Sequence, residues 1–306
     1  MHQYLIFGQN FNPMQIIDGK KLAREIKEEL RQKTAEMTAA GHRPPHLAAV
    51  LVGNDGASQT YVNSKVKSCE RIGFRSTLIR KDESLSEAEL LEIVDQLNRD
   101  EEVDGFIVQL PLPRHINEER ITMAIDPAKD VDGFHPANIG KMTLGMPAFL
   151  PATPYGIITM LERYGIKTSG LNCTVVGRSN IVGRPVSILM SRNAEPGNAT
   201  TTLCHSRTRD LKAECRRADI LIVALGRPEF ITADYVKEGA IVIDVGIHRV
   251  PDAGSEKGYV IKGDVKFDEV APKCSYITPV PGGVGAMTVT ALLMNTFDAA
   301  QRRIEK

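Results

Sequence analysis

In the first half of this 306-residue chain, Ser58-x-x-Tyr61-x-x-x-Lys65 is the spacing with the most chemistry to offer. Residues four apart share a helix face, so the Tyr61 phenol and the Lys65 amine project together. A lysine held in a partly apolar cleft can lose its proton near neutral pH and serve as general acid or base. The same spacing also fits a surface pair whose apolar stems lie along the protein. Farther on, Val108-Gln109-Leu-Pro-Leu-Pro113 sets an amide at the end of an apolar run, and Lys129-Asp130-Val-Asp132-Gly133 places two carboxylates beside a turn glycine. Neither group is cheap to bury without a partner. Gln109 is a site residue or a satisfied core amide; Asp130 reads as a cap, or a partner of Lys129, before it reads as a ligand contact.

The second half carries a different chemistry. Thr174-Val-Val-Gly177-Arg178-Ser179-Asn-Ile181-Val-Gly183-Arg-Pro185 is a strand that runs through a glycine-bearing turn into a helix. Glycine lets backbone approach a phosphate, and a helix N-terminus supplies N–H donors and a favourable dipole. Ser179 stands where the second glycine of a common dinucleotide fingerprint would be, so a plain strand-to-helix turn fits equally well. After the next strand the chain reads Cys204-His-Ser206-Arg207-Thr-Arg209, with no carboxylate before Asp210. A carboxylate there would hold the ribose 2′-hydroxyl of NAD, whereas cations and neutral donors suit the 2′-phosphate of NADP. Arg178 and Ser206 are the expected readers; Arg207 and Arg209 also fit a solvated basic turn. Finally, Ile277-Thr-Pro279-Val-Pro281-Gly282-Gly283-Val-Gly285 is a rigid, glycine-dense turn against which a flat ligand could lie, or on which two lobes could hinge.

The elements that must position these groups alternate. A helix is predicted after Asp18, with Leu22, Ile26 and Leu30 on one face, then a buried strand at His46–Val52, a helix from near Ser58, and a strand over Phe74–Ile79. Ser86-Glu-Ala-Glu89 is a capping box, and Gly105–Leu110 is a further strand that Pro111 and Pro113 stop. A second series follows Thr153-Pro154, with strands at Thr174–Gly177, Thr201–Cys204, Asp219–Ala224 and Ala240–Val245, and a helix over Ala286–Arg303 that could cross back. This predicts an α/β chain of two α/β domains flanking a cleft, the second Rossmann-like. The boundaries expected are 14–152 plus 286–306, and 153–285. Residues 1–13, ahead of a patterned start at Met14, read as an upstream extension or expression remnant.

Composition narrows the partners. Lys plus Arg and Asp plus Glu are equal at 38 each, so no global field favours nucleic acid or an anionic membrane. The five cysteines are scattered and lack CxxC spacing, which argues against a disulfide framework and against a metal site, and for a reducing cytoplasm. No apolar run reaches the roughly 20 residues that span a bilayer.

Taken together and in order, Tyr61-x-x-x-Lys65, Val108–Pro113, Lys129–Gly133, Gly177–Gly183 and Pro279–Gly285 resemble the bifunctional methylenetetrahydrofolate dehydrogenase/cyclohydrolase family, from about Met14 to the C-terminus. The resemblance implies a homodimer whose cleft binds tetrahydrofolate derivatives, with NADP on the second domain. It implies hydride removal from 5,10-methylenetetrahydrofolate, then hydrolysis of the methenyl cation to 10-formyltetrahydrofolate. By matching position Lys65 is the proton-transfer residue, Gln109 orients it, Tyr61 packs on the folate and Asp132 anchors the pterin. Ser58, Pro281, Gly282 and Gly283 complete the expected substrate contacts. The expected cofactor contacts are Gly177, Arg178, Ser179, Ile181, Ser206, Gly226, Gly246, Ile247 and Thr288. A cationic methenyl group repels an ammonium, which favours neutral Lys65 as a base. Two departures stand out: Ala286 replaces a common proline, which should loosen the last turn, and Ala152 replaces a frequent cysteine. A shikimate-type dehydrogenase is the main alternative enzyme, but it does not need the Pro-Val-Pro-Gly-Gly turn. A nucleotide-binding regulatory module is the non-enzymatic alternative, and it does not need Lys65, Gln109 and Asp132 together.

Overall fold

The computed structural model describes residues 14–305, so the expectation for residues 1–13 lies outside the described residues. The first half runs β1 (Gln15–Ile16), α1 (Gly19–Ala39), β2 (His46–Val52), α2 (Gly56–Arg71), β3 (Arg75–Lys81), α3 (Glu87–Arg99), β4 (Gly105–Val108), α4 (Glu118–Ala124), α5 (Pro136–Thr143) and α6 (Ala152–Arg163). The second runs β5 (Asn172–Val176), α7 (Gly183–Ser191), β6 (Thr200–Cys204), α8 (Leu211–Arg216), β7 (Ile220–Val223), β8 (Ala240–Asp244), β9 (His248–Pro251), β10 (Tyr259–Lys262), α9 (Phe267–Val270), β11 (Cys274–Ile277) and α10 (Val284–Ile304).

Local sequence explains the helix starts. Asp18 caps α1 by accepting from the Lys21 N–H at 2.8 Å, and Leu22, Ile26 and Leu30 all point into the core. The capping box of α3 is complete: Ser86 Oγ accepts from Glu89 N–H at 3.2 Å, and the Glu89 carboxylate accepts from Ser86 N–H at 2.8 Å. α2 starts at Gly56, two residues earlier than the sequence suggested, because Asp55 caps it and takes the Ser58 N–H at 2.7 Å.

Two parallel sheets result. In the first, β2 lies between β3 and β4, and every residue of β2 is buried, as expected of an inner strand covered on both faces. The second has the order β1-β11-β8-β7-β5-β6, all parallel, with β9 and β10 as a separate antiparallel hairpin. One segment departs from the expected division. Gln15–Ile16 would belong with the first domain, yet β1 pairs with Tyr276–Ile277 at the edge of the second sheet, and Ile17 N–H donates to Ile277 O at 2.8 Å. The chain enters beside β11 and crosses over only through α1.

Between the sheets, α10 packs along α6 and α1, and one core joins Leu47, Ala49 and Ile107 of the first sheet to Val175, Ile222 and Ile243 of the second through Met287, Ala291 and Leu292. Close approach replaces side chains at the crossing. A Cβ on Gly19 would lie 2.2 Å from Gly283 O, and one on Gly156 would lie 2.9 Å from Met287 Cβ. Among the described residues no helix is long and apolar enough to cross a membrane.

Candidate active site

Parallel strands present their carboxyl ends together, and the first sheet uses that edge. β2 and β4 are in register from Leu47/Gly105 to Val50/Val108, and Gln109 extends the pairing by donating its N–H to Val50 O at 2.9 Å. That fixes where the amide side chain starts. Its Nε2 donates to Leu110 O at 2.7 Å, leaving Oε1 to accept from Lys65 Nζ at 3.1 Å. Lys65 reaches it from α2 and is 5% exposed. The amine sits 5.6 Å from the centre of the Tyr61 ring, one helical turn earlier on the same face. Ser58, one turn before Tyr61, is buried in the first turn of α2.

Tyr61 is 38% exposed. Burial pushes the phenol pKa up; a hydrogen bond with Thr288 works the other way, and the nearby Asp132 charge raises it further. Thr288 lies on α10 and also shares a hydrogen bond with Thr153 at 3.0 Å. Thus the residue expected beside the cofactor sits against the phenol.

The Asp132 turn is built by its neighbours. Residues 129–130 run parallel to β4, with Phe106 N–H donating to Lys129 O at 3.0 Å and Phe106 bridging Asp130, and Val108 and Asp132 line one small cavity. A Cβ on Gly105 would strike Val131 at 2.2 Å. Asp130, 2% exposed, caps the turn rather than pairing with Lys129: it accepts from His135 N–H at 2.8 Å, Asn138 Nδ2 at 2.9 Å and Phe134 N–H at 3.2 Å. Burial pushes its pKa up to about 6, against those hydrogen bonds. Lys129 instead donates to Leu97 O and Asp100 O at 2.8 and 2.6 Å. Gly133 has φ +73°, and a Cβ there would meet Leu150 C at 2.5 Å. Asn295 of α10, which no sequence pattern singled out, is 3% exposed and donates to Val131 O and Leu150 O at 2.8 and 2.9 Å.

Across the cleft, Gly177 has φ +123° and approaches Ala224 so closely that a Cβ would lie 2.1 Å from its carbonyl oxygen. Ser179 replaces a glycine usefully: its Oγ accepts from Val182 and Gly183 N–H at 3.2 and 3.3 Å and starts α7. Arg178, Ile181 and Ser206 are exposed at the rim. The first carboxylate past β6, Asp210, is committed to capping α8 through Ala213 N–H at 3.0 Å. The donor set at this rim is therefore cationic and neutral, which fits a 2′-phosphate.

Tyr61, Gly246, Ile247, Pro281, Gly282 and Gly283 line one chamber of about 300 Å³ between the two halves. Ile247 is 53% exposed and rests on Gly285, where a Cβ would come within 2.8 Å of its Cδ1. The Ala286 N–H donates to Gly283 O at 3.2 Å, a bond proline cannot make, so alanine there ties the turn rather than loosening it. Beneath the chamber lies a pair of carboxylates that the sequence reading missed. Asp264, fully buried, accepts from the Leu225, Gly226 and Arg227 N–H groups at 2.6, 3.1 and 2.8 Å and contacts His248 Nε2 at 2.8 Å. Asp244 accepts from Gly246, Asp264 and Val265 N–H at 2.9, 3.0 and 2.9 Å. Burial pushes Asp244 up to about 7 against those bonds, with the Asp264 charge adding to the rise. These carboxylates fix the loops that carry Gly226, Gly246 and Ile247. Their only signal in the sequence is Gly263-Asp264 after a short β-run.

Comparison with known proteins identifies the family. The family model for the tetrahydrofolate dehydrogenase/cyclohydrolase catalytic domain matches residues 17–132, and that for the NAD(P)-binding domain matches residues 151–304. The bifunctional protein FolD of Cytophaga hutchinsonii is 61% identical over 287 residues, 94% of this chain and 99% of the relative. The crystal structure of the bifunctional FolD methylenetetrahydrofolate dehydrogenase/cyclohydrolase from Campylobacter jejuni is 46% identical and superposes with a TM-score of 0.89, covering 95% of this chain and 99% of that one. The methylenetetrahydrofolate dehydrogenase-cyclohydrolase of Trypanosoma brucei, solved with NADP and an inhibitor, is 34% identical with a TM-score of 0.90, covering 96% and 100%.

Proposed function

The chain belongs to the tetrahydrofolate dehydrogenase/cyclohydrolase family, and from that premise we propose how one cleft carries two reactions. The enzyme oxidises 5,10-methylenetetrahydrofolate to the 5,10-methenyl form with NADP and hydrolyses that product to 10-formyltetrahydrofolate, in one-carbon metabolism. The observation that carries the site reading is the buried Lys65 Nζ held on Gln109 Oε1 at 3.1 Å, next to Tyr61.

Asp132 accepts hydrogen bonds from the N–H groups of the pterin, and the Tyr61 ring supports the p-aminobenzoyl group. Together they set the one-carbon bridge beside Lys65. Gly177, Arg178, Ser179, Ile181, Ser206, Gly226, Gly246 and Ile247 would hold NADP, with Arg178 and Ser206 reading its 2′-phosphate. When bound, NADP supplies the hydride acceptor. The protein's part in that step is to align two rings and exclude water.

In hydrolysis the residues act directly. A water oxygen adds to the methenyl carbon while one of its protons passes to Lys65 Nζ. Lys65 then returns a proton to N5 as the carbon–N5 bond breaks, and the remaining hydroxyl proton leaves as the formyl C=O forms. Gln109 Oε1 holds the amine in place through both transfers. We place the protein in the cytoplasm as a homodimer, a reading supported by its five free, buried cysteines and by the family resemblance. Incubation with 5,10-methylenetetrahydrofolate and NADP tests the whole: reduced cofactor and methenyl absorbance should appear together, the second then decaying. Reduced cofactor without a transient methenyl signal in the Lys65→Met protein would count against the site.

A further inference from the structure

Between Ile247 and the buried Asp264 the chain runs out along β9 and back along β10, an antiparallel pair that belongs to neither parallel sheet. Register sets His248 opposite Lys262 at the base of this hairpin and Arg249 opposite Ile261 beside it. The base therefore carries two apolar walls of the chamber, Ile247 just before β9 and Ile261 within β10. Arg249 lies over the Tyr259 ring at 5.1 Å, a contact internal to the hairpin. Among the described residues, two side-chain bonds at the base join it to the body of the domain. Lys262 Nζ donates to the Glu229 carboxylate at 2.7 Å, with the two side chains 39% and 35% exposed, so solvent weakens that pair. His248 Nε2 meets Asp264 Oδ1 at 2.8 Å, where the carboxylate is wholly buried and the imidazole 20% exposed. A carboxylate can only accept, so Nε2 carries the proton whether or not the ring is charged.

A hydrogen bond to a charged group, shielded from water, is the stronger of the two ties. Its carboxylate is also the one that holds the loop at residues 225–227: Oδ1 takes the Arg227 N–H as well, and Oδ2 takes those of Leu225 and Gly226. Gly246 packs on it so closely that a Cβ there would lie 2.6 Å from Asp264 Cγ. One buried group thus connects the hairpin, the 225–227 loop and Gly246. Resting on the reading that NADP lies along Gly226, Gly246 and Ile247, we infer that His248 is a positioning residue for the cofactor. Through Asp264 it clamps the base of the β9–β10 hairpin, so that Ile247 and Ile261 close on the nicotinamide end of NADP. Loss of the imidazole leaves Asp264 its three backbone N–H partners, so the 225–227 loop keeps its anchor and the hairpin alone is released. Lys65 and Gln109, on α2 and at the end of β4, stand on the other sheet and its helices and do not depend on the clamp.

Calorimetric titration with NADP, set beside hydrolysis of 5,10-methenyltetrahydrofolate added directly, tests this. In His248→Leu the Kd for NADP should rise about tenfold, the worth of one charge-assisted hydrogen bond, and KM for NADP should rise with it. Hydrolysis consumes no NADP and should keep its wild-type rate. His248→Gln puts an amide N–H near the place of the imidazole Nε2 and should recover most of the affinity. Equal Kd values for wild type and His248→Leu overturn the clamp. So does a glutamine variant that recovers nothing, or a fall in hydrolysis that matches the loss of affinity, since either would make His248 a general prop of the fold. A wild-type enzyme that binds no NADP overturns the cofactor reading itself, and the clamp with it.

Discussion

Replacing Lys65 by methionine keeps the apolar stem that crosses from α2 to the end of β4 and removes the donor that Gln109 Oε1 receives at 3.1 Å. The fold should tolerate it. Gln109 is only half-buried, so the lost hydrogen bond costs about 1 kcal/mol, a small part of the 5–15 kcal/mol that typically holds a domain folded. Catalysis divides differently. Hydrolysis loses its proton carrier, which general acid–base catalysis values at about 10²- to 10⁴-fold in rate. Oxidation needs only that two rings stay aligned, and Tyr61, Asp132 and the Gly177 loop are untouched, so dehydrogenase turnover should stay within about tenfold of wild type. Both signals can be read in one cuvette: reduced cofactor should form while methenyltetrahydrofolate accumulates instead of decaying. Equal loss of both activities in a protein with wild-type thermal stability would refute the separate role given to Lys65.

Arg178→Ala should lower kcat/KM for NADP by about 10- to 100-fold, the worth of one charge-assisted hydrogen bond, and leave NAD kinetics nearly unchanged; an equal fall with both cofactors would remove Arg178 from the 2′-phosphate. Asn295→Ala strands two buried carbonyls, Val131 O and Leu150 O, and should cost about 2–4 kcal/mol in urea unfolding. A change under about 0.5 kcal/mol would mean that α10 does not brace the Asp132 turn through this amide. Asp130 is raised by burial to about 6, so the native state keeps a proton that the unfolded chain has already released. Its contribution is present below the unfolded carboxylate range near 3.9 and is lost as pH rises through about 6. Melting temperature should therefore fall more steeply across that window in the wild type than in Asp130→Asn, and parallel curves would contradict the assignment.

Much of this molecule was legible in the order of its residues because the signals are local. Asp18 and the Ser86/Glu89 box start helices by bonding their own first turn, and the run His46–Val52 is apolar at nearly every position because it is covered on both faces. Tyr61 and Lys65 share a helix face by spacing alone, and the carboxylate-poor stretch after β6 is a fact of composition. What the linear chain could not decide is which distant groups meet. The Lys65–Gln109 bond joins residues 44 apart, and Asn295 reaches a carbonyl 164 residues away. Asp264, an ordinary acidic residue in the sequence, becomes the hub of a cofactor-side loop only when three backbone N–H groups from residues 225–227 converge on it. The same holds for β1, whose two residues join the second sheet because an unpaired edge of β11 lies beside them. Capping and periodicity are enforced within a few residues, whereas partners for buried polar groups are supplied by whatever the packed helices and sheets bring alongside, and that is settled only in three dimensions.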